Sequence, residues 1–195
     1  MEAIEKRRSI RKYSEKQVSK EQIEEVVRAA ALAPSAKNRQ PWKYLVYTGT
    51  KKEKLLAAMQ RGLEREEREH TLLPDSAYGL PDAFHTLEIM REAPALLIVM
   101  NTNGNSPYAP IDTDRRLSEI CDSLSIGASI QNLLLKATEL GLGTLWIANT
   151  CFAYPELMEA VKEEGQLIGA VTLGYAKEAP NPRPRKKLEE ILEYR

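Results

Sequence analysis

The chain has 195 residues, which suits one sizeable core better than two independent domains, so a single domain spanning 1–195 is expected. Apolar residues make up 43% and charged residues 29%, which excludes a disordered chain. Lys plus Arg balance Asp plus Glu at 28 each, leaving no global field to gather nucleic acid or an anionic membrane.

Residues 2–8 fit a short helix that ends on a concentrated group of cations, Arg7-Arg8-Ser9-Ile10-Arg11. Guanidinium forks match phosphate oxygens bidentately, and bonds of that kind are about twice as strong as neutral ones, so this stretch is a candidate anion site. Ser19-Lys20-Glu21-Gln22 reads as a capping box, and Ile23, Val26, Val27, Ala30 and Ala31 repeat at helical spacing up to Ala33, where Pro34 stops the helix. Pro34-Ser35-Ala36-Lys37-Asn38-Arg39-Gln40-Pro41 is an irregular loop crowded with amides and a hydroxyl. Trp42–Thr48 follows as a strand. Residues 51–70 form a charged surface helix with Thr50 as its cap, and 71–82, with Pro74, Gly79 and Pro81, reads as a long loop.

A short helix over 84–91 leads to Pro94 and a strand over 95–100. Residues 101–110 are too rich in Asn, Gly and Pro for core and too long for a plain connection, which marks them as a segment covering a site. The longest helix runs over 118–140 and is apolar on more than one side, so it is central or lies in an interface. Gly141 ends it, and Gly143–Ile147 is the third strand. Pro155 opens a helix to about 164, and 167–173 is the fourth strand. Pro180-Asn181-Pro182-Arg183-Pro184-Arg185 is an extended arm, and the residues from Leu188 onward fit either a helix or a docked strand.

No apolar run reaches the length of a signal sequence or membrane span, which points to a cytoplasmic protein. Cys121 and Cys151 fall short of a disulfide framework and have no metal-ligand spacing, so both are read as free thiols with no metal site. His70 and His85 stand alone and suit solvated or packing roles. Trp42 and Trp146 suit packing in the core or beside a bound ring.

The N-terminal arginines, the Ser35/Asn38/Gln40 loop, the Gln131-Asn132-Leu133-Leu134 helix, the Gly141-Leu142-Gly143-Thr144 turn and the Arg183/Arg185 tail together resemble the FMN-dependent nitroreductase family. The resemblance spans nearly the whole chain, outside about residues 60–114. It implies an α+β fold: a three-layer sandwich in which a mainly antiparallel sheet is flanked by helices, within an intertwined homodimer. It further implies FMN at the interface. Arg7, Arg8 and Ser9 would hold the phosphate and ribityl chain, and Arg11 would face the flavin N1/O2 edge as the catalytic cation. Arg183 and Arg185 would close on the phosphate, and Pro34, Ser35, Asn38 and Gln40 would come from the other subunit. Backbone at Ile147, Ala148 and Asn149 would approach flavin N5. Some members carry Glu-Gly where this chain has Ala148-Asn149.

The implied activity is NAD(P)H-dependent reduction of nitroaromatic, quinone or similar small acceptors by a ping-pong mechanism, with NADH or NADPH as co-substrate. Relatives of the same fold that dehalogenate aromatics or consume flavin in cofactor synthesis define a second reading, and a non-catalytic FMN-binding module a third. Gly141-Leu142-Gly143 follows a helix and lacks a third glycine, so no dinucleotide cradle is expected.

Overall fold

The computed structural model describes residues 2–195. Four strands, β1 (Trp42–Thr48), β2 (Ala95–Asn101), β3 (Gly143–Ile147) and β4 (Gln166–Gly174), form one sheet in the order β1-β2-β4-β3, antiparallel throughout. Six helices accompany it: α1 (Glu2–Lys6), α2 (Lys20–Ala31), α3 (Gly49–Glu69), α4 (Leu80–Glu92), α5 (Thr113–Glu139) and α6 (Tyr154–Val161).

Strand β2 sorts the layers. Its seven residues are all buried, and the period-two rule sends Leu96, Ile98 and Met100 to one face and Ala95, Leu97 and Val99 to the other. The first face carries Leu55, Leu56, Met59 and Leu63 of α3, Leu87 and Met90 of α4, and Leu157 of α6. The second carries Val26 and Ala30 of α2 and Ile126, Ile130, Leu133 and Ala137 of α5. The result is the expected helix–sheet–helix sandwich, with a separate core on each side of the sheet.

Several boundaries differ from the sequence reading. The capping box at Ser19 is present, with Gln22 N donating to Ser19 Oγ and Ser19 N donating to Gln22 Oε1. Thr50 is not a cap: α3 begins at Gly49, and Thr48 holds the N-cap position without a side-chain bond. Of residues 71–82, Pro74–Gly79 is a 3-10 turn, and α4 already starts at Leu80 with Pro81 in its first turn, where a missing N–H costs nothing. Helix α5 starts at Thr113, five residues earlier than read, because Asp112 caps it by accepting from Arg115 N at 2.8 Å. Gly141 (φ +70°) closes α5 as expected, with Leu142 N donating to Ala137 O and Gly141 N to Thr138 O. Helix α6 ends at Val161, and a 3-10 turn, Asn149–Ala153, separates it from β3. The tail after Lys187 is neither helix nor strand; it has one 3-10 turn, Leu188–Glu190, and Leu188, Ile191 and Tyr194 stay exposed.

Candidate functional site

The sequence reading carried α1 to Arg8, but the helix stops at Lys6 because the next residues are committed to the sheet. Ser9 pairs in parallel with Thr144, and Ile10 N donates to Thr144 O at 2.9 Å. Tyr13 pairs with Ala176 in the antiparallel sense, Ser14 N donates to Tyr175 O, and Lys177 N donates to Lys12 O. Residues 9–14 thus strap the β3 edge to the end of β4. Two glycines make room for the strap. A Cβ on Gly143 would come within 2.8 Å of the Ile10 side chain, and one on Gly174 within 2.8 Å of the Tyr13 ring. Tyr13, 3% exposed, locks the strap by donating to Ile10 O and bonding Thr172 Oγ1 at 2.7 Å; burial pushes its phenol far up.

The strap and the arm that leaves β4 meet. Arg7, Arg8, Ser9 and Arg11 from the first, and Pro180, Arg183 and Arg185 from the second, line one hollow of about 270 Å³. Among the described residues none of these five guanidiniums forms an ion pair. Their hydrogen bonds run only to nearby backbone carbonyls, such as Arg8 to Glu5 O and Arg185 to Pro184 O. Desolvation, then the charges of Arg185 and Arg8, push the Arg7 guanidinium down from its ordinary range. Five cations gathered where the lining offers one carboxylate, Glu5, raise the energy of the free protein, and a bound dianion relieves it.

A second hollow, of about 320 Å³, shares Arg7 and Ser9 with the first and adds Gln131, Thr144, Trp146 and Ala148. A third, of about 280 Å³, takes in Arg11, Asp82, His85, Thr86, Trp146, Ala148 and Asn149. Shared walls make the three one track, from the arginines across Trp146 to the end of β3. Alternation along β3 puts Leu145 and Ile147 into the core and leaves Trp146 45% exposed on the track. Asn149 Nδ2 donates to Asp82 Oδ2 at 3.1 Å and Thr86 Oγ1 at 2.9 Å, so the corner at Asn149 is fixed from α4.

The Ser35/Asn38/Gln40 loop lies elsewhere. Arg39 grips the buried Asp122 through two bonds of 2.9 and 2.7 Å, and Ala36 N donates to Ser125 Oγ. The loop therefore sits against α5 at residues 122–125, whereas the track reaches α5 at Gln131 and Leu134. At 1.5 Å per residue the two places are roughly 9–18 Å apart along the helix. Within one chain, then, Pro34, Ser35, Asn38 and Gln40 do not join the arginines. The loop is nevertheless held in an unusual shape. Lys37, Asn38 and Gln40 all have positive φ (53°, 52° and 48°), a conformation that side chains resist and that concentrates at ligand-binding loops. Ser35 Oγ accepts from Gln40 N, and Gln40 Nε2 donates to Asn38 Oδ1, which keeps the polar groups gathered. On a different face from Asp122 and Ser125, α5 exposes Leu117, Ile120 and Leu124.

The sequence reading passed over Asp82 and Thr86. Both fall where a loop and a late-starting helix were expected, and only Pro81 as a first-turn residue would have placed them on one helix face. Among the described residues no group of three or more His, Cys, Asp or Glu could hold a metal ion. Among the described residues no helix is long and apolar enough to cross a membrane.

An α+β sandwich whose strand edge carries an unpaired cationic hollow running into an aromatic track defines a class of ligand-binding domain. The chain belongs to the nitroreductase family, whose sequence profile matches residues 4–175. It is 32% identical, over 88% of its own length and 82% of the relative's, to an Archaeoglobus fulgidus protein provisionally named NADH dehydrogenase/NAD(P)H nitroreductase. Among solved structures it resembles a BluB-like flavoprotein of Clostridium difficile (26% identity, TM-score 0.75, covering 99% of this chain and 97% of that one). It also resembles a protein of Desulfovibrio desulfuricans provisionally classed as a nitroreductase and solved in complex with FMN (25% identity, TM-score 0.72, covering 100% and 95%). The profile match ends before Arg183 and Arg185, so the arm's part in the site rests on the geometry.

Proposed function

We propose that the protein is an FMN-dependent oxidoreductase that uses NAD(P)H to reduce nitroaromatic, quinone or similar acceptors. The observation that carries this reading is the convergence of Arg7, Arg8, Arg11, Arg183 and Arg185 on one hollow whose lining includes a single carboxylate, Glu5, with which none of them forms an ion pair, and which is continuous with the Trp146 track. The residues fit the group: five cations and the Ser9 hydroxyl suit a terminal phosphate dianion, and the track beyond them suits a planar ring. Bound there, FMN would supply two-electron transfer between donor and acceptor.

The chain's own part is binding, orientation and electrostatics. Arg7, Arg8, Ser9, Arg183 and Arg185 anchor the phosphate. Arg11 lines both the cationic hollow and the hollow at Asn149, so its fixed positive charge stabilises negative charge gathering on the near edge of a ring. The backbone of Ile147, Ala148 and Asn149 closes the far end of the track, with Asn149 held by Asp82 and Thr86. The Ser35/Asn38/Gln40 loop completes the site from a second copy of the chain, a reading supported by its distance from the arginines within one chain and by the exposed Leu117, Ile120 and Leu124 on α5. Donor and acceptor would have to share the one track beside Trp146, so the kinetics expected are ping-pong.

The test is to purify the protein, mix it anaerobically with NADH and NADPH while recording absorbance, and vary the acceptor at several donor concentrations. Bleaching of the flavin bands and parallel double-reciprocal lines are expected. Intersecting lines refute alternation, and a spectrum unchanged for minutes under millimolar donor refutes the oxidoreductase reading. A cofactor consumed on readmission of air, instead of restored, moves the assignment to the flavin-consuming relatives.

A further inference from the structure

The cationic hollow is assembled from two limbs that are far apart in sequence and repel each other, so something in the free protein must hold them together. The strap limb is secured to the sheet up to Ser14. The arm limb is less secure: among the described residues, residues 179–186 hydrogen-bond only among themselves, through Arg185 to Arg183 O and Pro184 O. The last ties before the arm leaves the sheet are Lys177 N to Lys12 O at 2.9 Å and the side chain of Glu178. Glu178 Oε1 accepts from Arg11 N at 2.5 Å and from Lys12 N at 3.2 Å. This is a carboxylate gripping two consecutive amides of the strap, at the root of the arm and two residues before Pro180.

A carboxylate so placed weakens the field that attracts an anion, and its geometry supplies the compensation. Charge-assisted bonds to two amides are among the stronger restraints a side chain can place on backbone. These two amides flank Arg11, and the gripping residue carries the arm. We infer that Glu178 is a positioning residue: it latches arm to strap so that Arg7, Arg8 and Arg11 face Arg183 and Arg185 before an anion arrives. Preorganisation of this kind raises affinity by removing the ordering cost from the binding step. The inference rests on the reading of the hollow as a phosphate site and not on the identity of the group that carries the phosphate.

Three variants separate reach from charge. Glu178→Gln keeps the acceptor at the same reach and removes the charge; Glu178→Asp keeps the charge one methylene short; Glu178→Ala removes both. The measurements are hydrogen exchange at the Arg11 and Lys12 amides, and affinity by calorimetry for FMN and for inorganic pyrophosphate. Glu178→Ala and Glu178→Asp are expected to lose amide protection and to bind both probes roughly tenfold or more weakly, the loss of one charge-assisted restraint. Glu178→Gln should keep part of the protection, through a neutral acceptor at the same reach, and, with the repelling charge gone, bind as well as wild type or better.

Tighter binding in both Glu178→Gln and Glu178→Ala would reduce Glu178 to a repelling charge and overturn the latch, as would wild-type affinity in all three variants. Weaker binding in Glu178→Gln equal to that of Glu178→Ala would also overturn it, because the acceptor geometry would then not suffice. If pyrophosphate follows the expected pattern while no form binds FMN, the latch stands and the FMN reading falls.

Discussion

Replacing Arg185 by alanine should separate the ligand-free protein from the loaded one with opposite signs. In the free protein the Arg185 charge disfavours the neighbouring Arg7 guanidinium, so its removal leaves stability unchanged or slightly raised. In the FMN complex it removes a charge-assisted contact worth about 1.5–3 kcal/mol, or roughly 10- to 150-fold in affinity. Ligand stabilises by RT ln(1 + [L]/Kd), so at 100 times the wild-type Kd the gain of about 2.7 kcal/mol falls to about 1.4 for a 10-fold loss and about 0.3 for a 150-fold loss. For a chain of this size 1 kcal/mol moves Tm by about 2–4 °C, so an FMN-induced rise of about 5–11 °C should shrink to about 3–6 °C or about 1 °C respectively. Differential scanning fluorimetry with and without FMN reads both numbers. Arg195, paired with Glu193 on the exposed tail and outside the hollow, is the control for simple loss of a cation. An FMN-induced rise within a degree of wild type in Arg185→Ala would refute the phosphate assignment of the arm.

Leu124, 70% exposed on α5, should lie in a contact between copies, so Leu124→Glu is expected to shift light scattering from twice the chain mass toward one and to weaken FMN binding with it. Asp122, with its side chain 4% exposed, holds the Arg39 end of that loop. Asp122→Ala should cost about 2–3 kcal/mol in urea unfolding, below the full value for a buried pair because Arg39 is partly solvated. Burial works to raise the Glu66 carboxyl, but the Leu73 and Leu72 amides and the Arg65 guanidinium outweigh it and hold it below the usual range. Its stabilisation is complete above the unfolded value of about 4.3 and is lost as pH falls through the lower folded value, so Glu66→Gln should flatten the fall in urea midpoint below about pH 4.3.

The fold was largely legible because its signals are local. The capping box at Ser19 and the glycine after α5 name their own helix ends, and the apolar runs of β2 and β4 admit only a sheet covered on both faces. The start of α5 was not, since Asp112 as a cap is masked by the Asn- and Pro-rich residues before it. The site was legible as residue types and not as an arrangement. Three arginines in five residues announce an anion, but nothing local says that Ile10 and Tyr13 will be fitted against Gly143 and Gly174, or that Glu178 will reach back to the Arg11 amide. The loop at Ser35 was singled out for its polar groups, while its three positive φ values depend on the grip of Asp122 and Ser125, some 85 residues away along the chain.

The strap at residues 9–14 has a consequence for how the protein comes into being. Its partners are Thr144, Thr172 and residues 175–178, so Arg7, Arg8 and Arg11 wait for strands β3 and β4 before they acquire their positions. Helix α3 packs on its sequence neighbour α4 and is able to organise early, whereas α2 waits for α5 and β1 for β2. The strap cannot close before β3 and the end of β4 exist, and the arm follows all four strands in the chain. A nascent chain therefore presents Arg7, Arg8 and Arg11 as an uncommitted basic segment until β3 and the end of β4 have been made, and the cationic hollow takes shape only when the strap has its sheet edge.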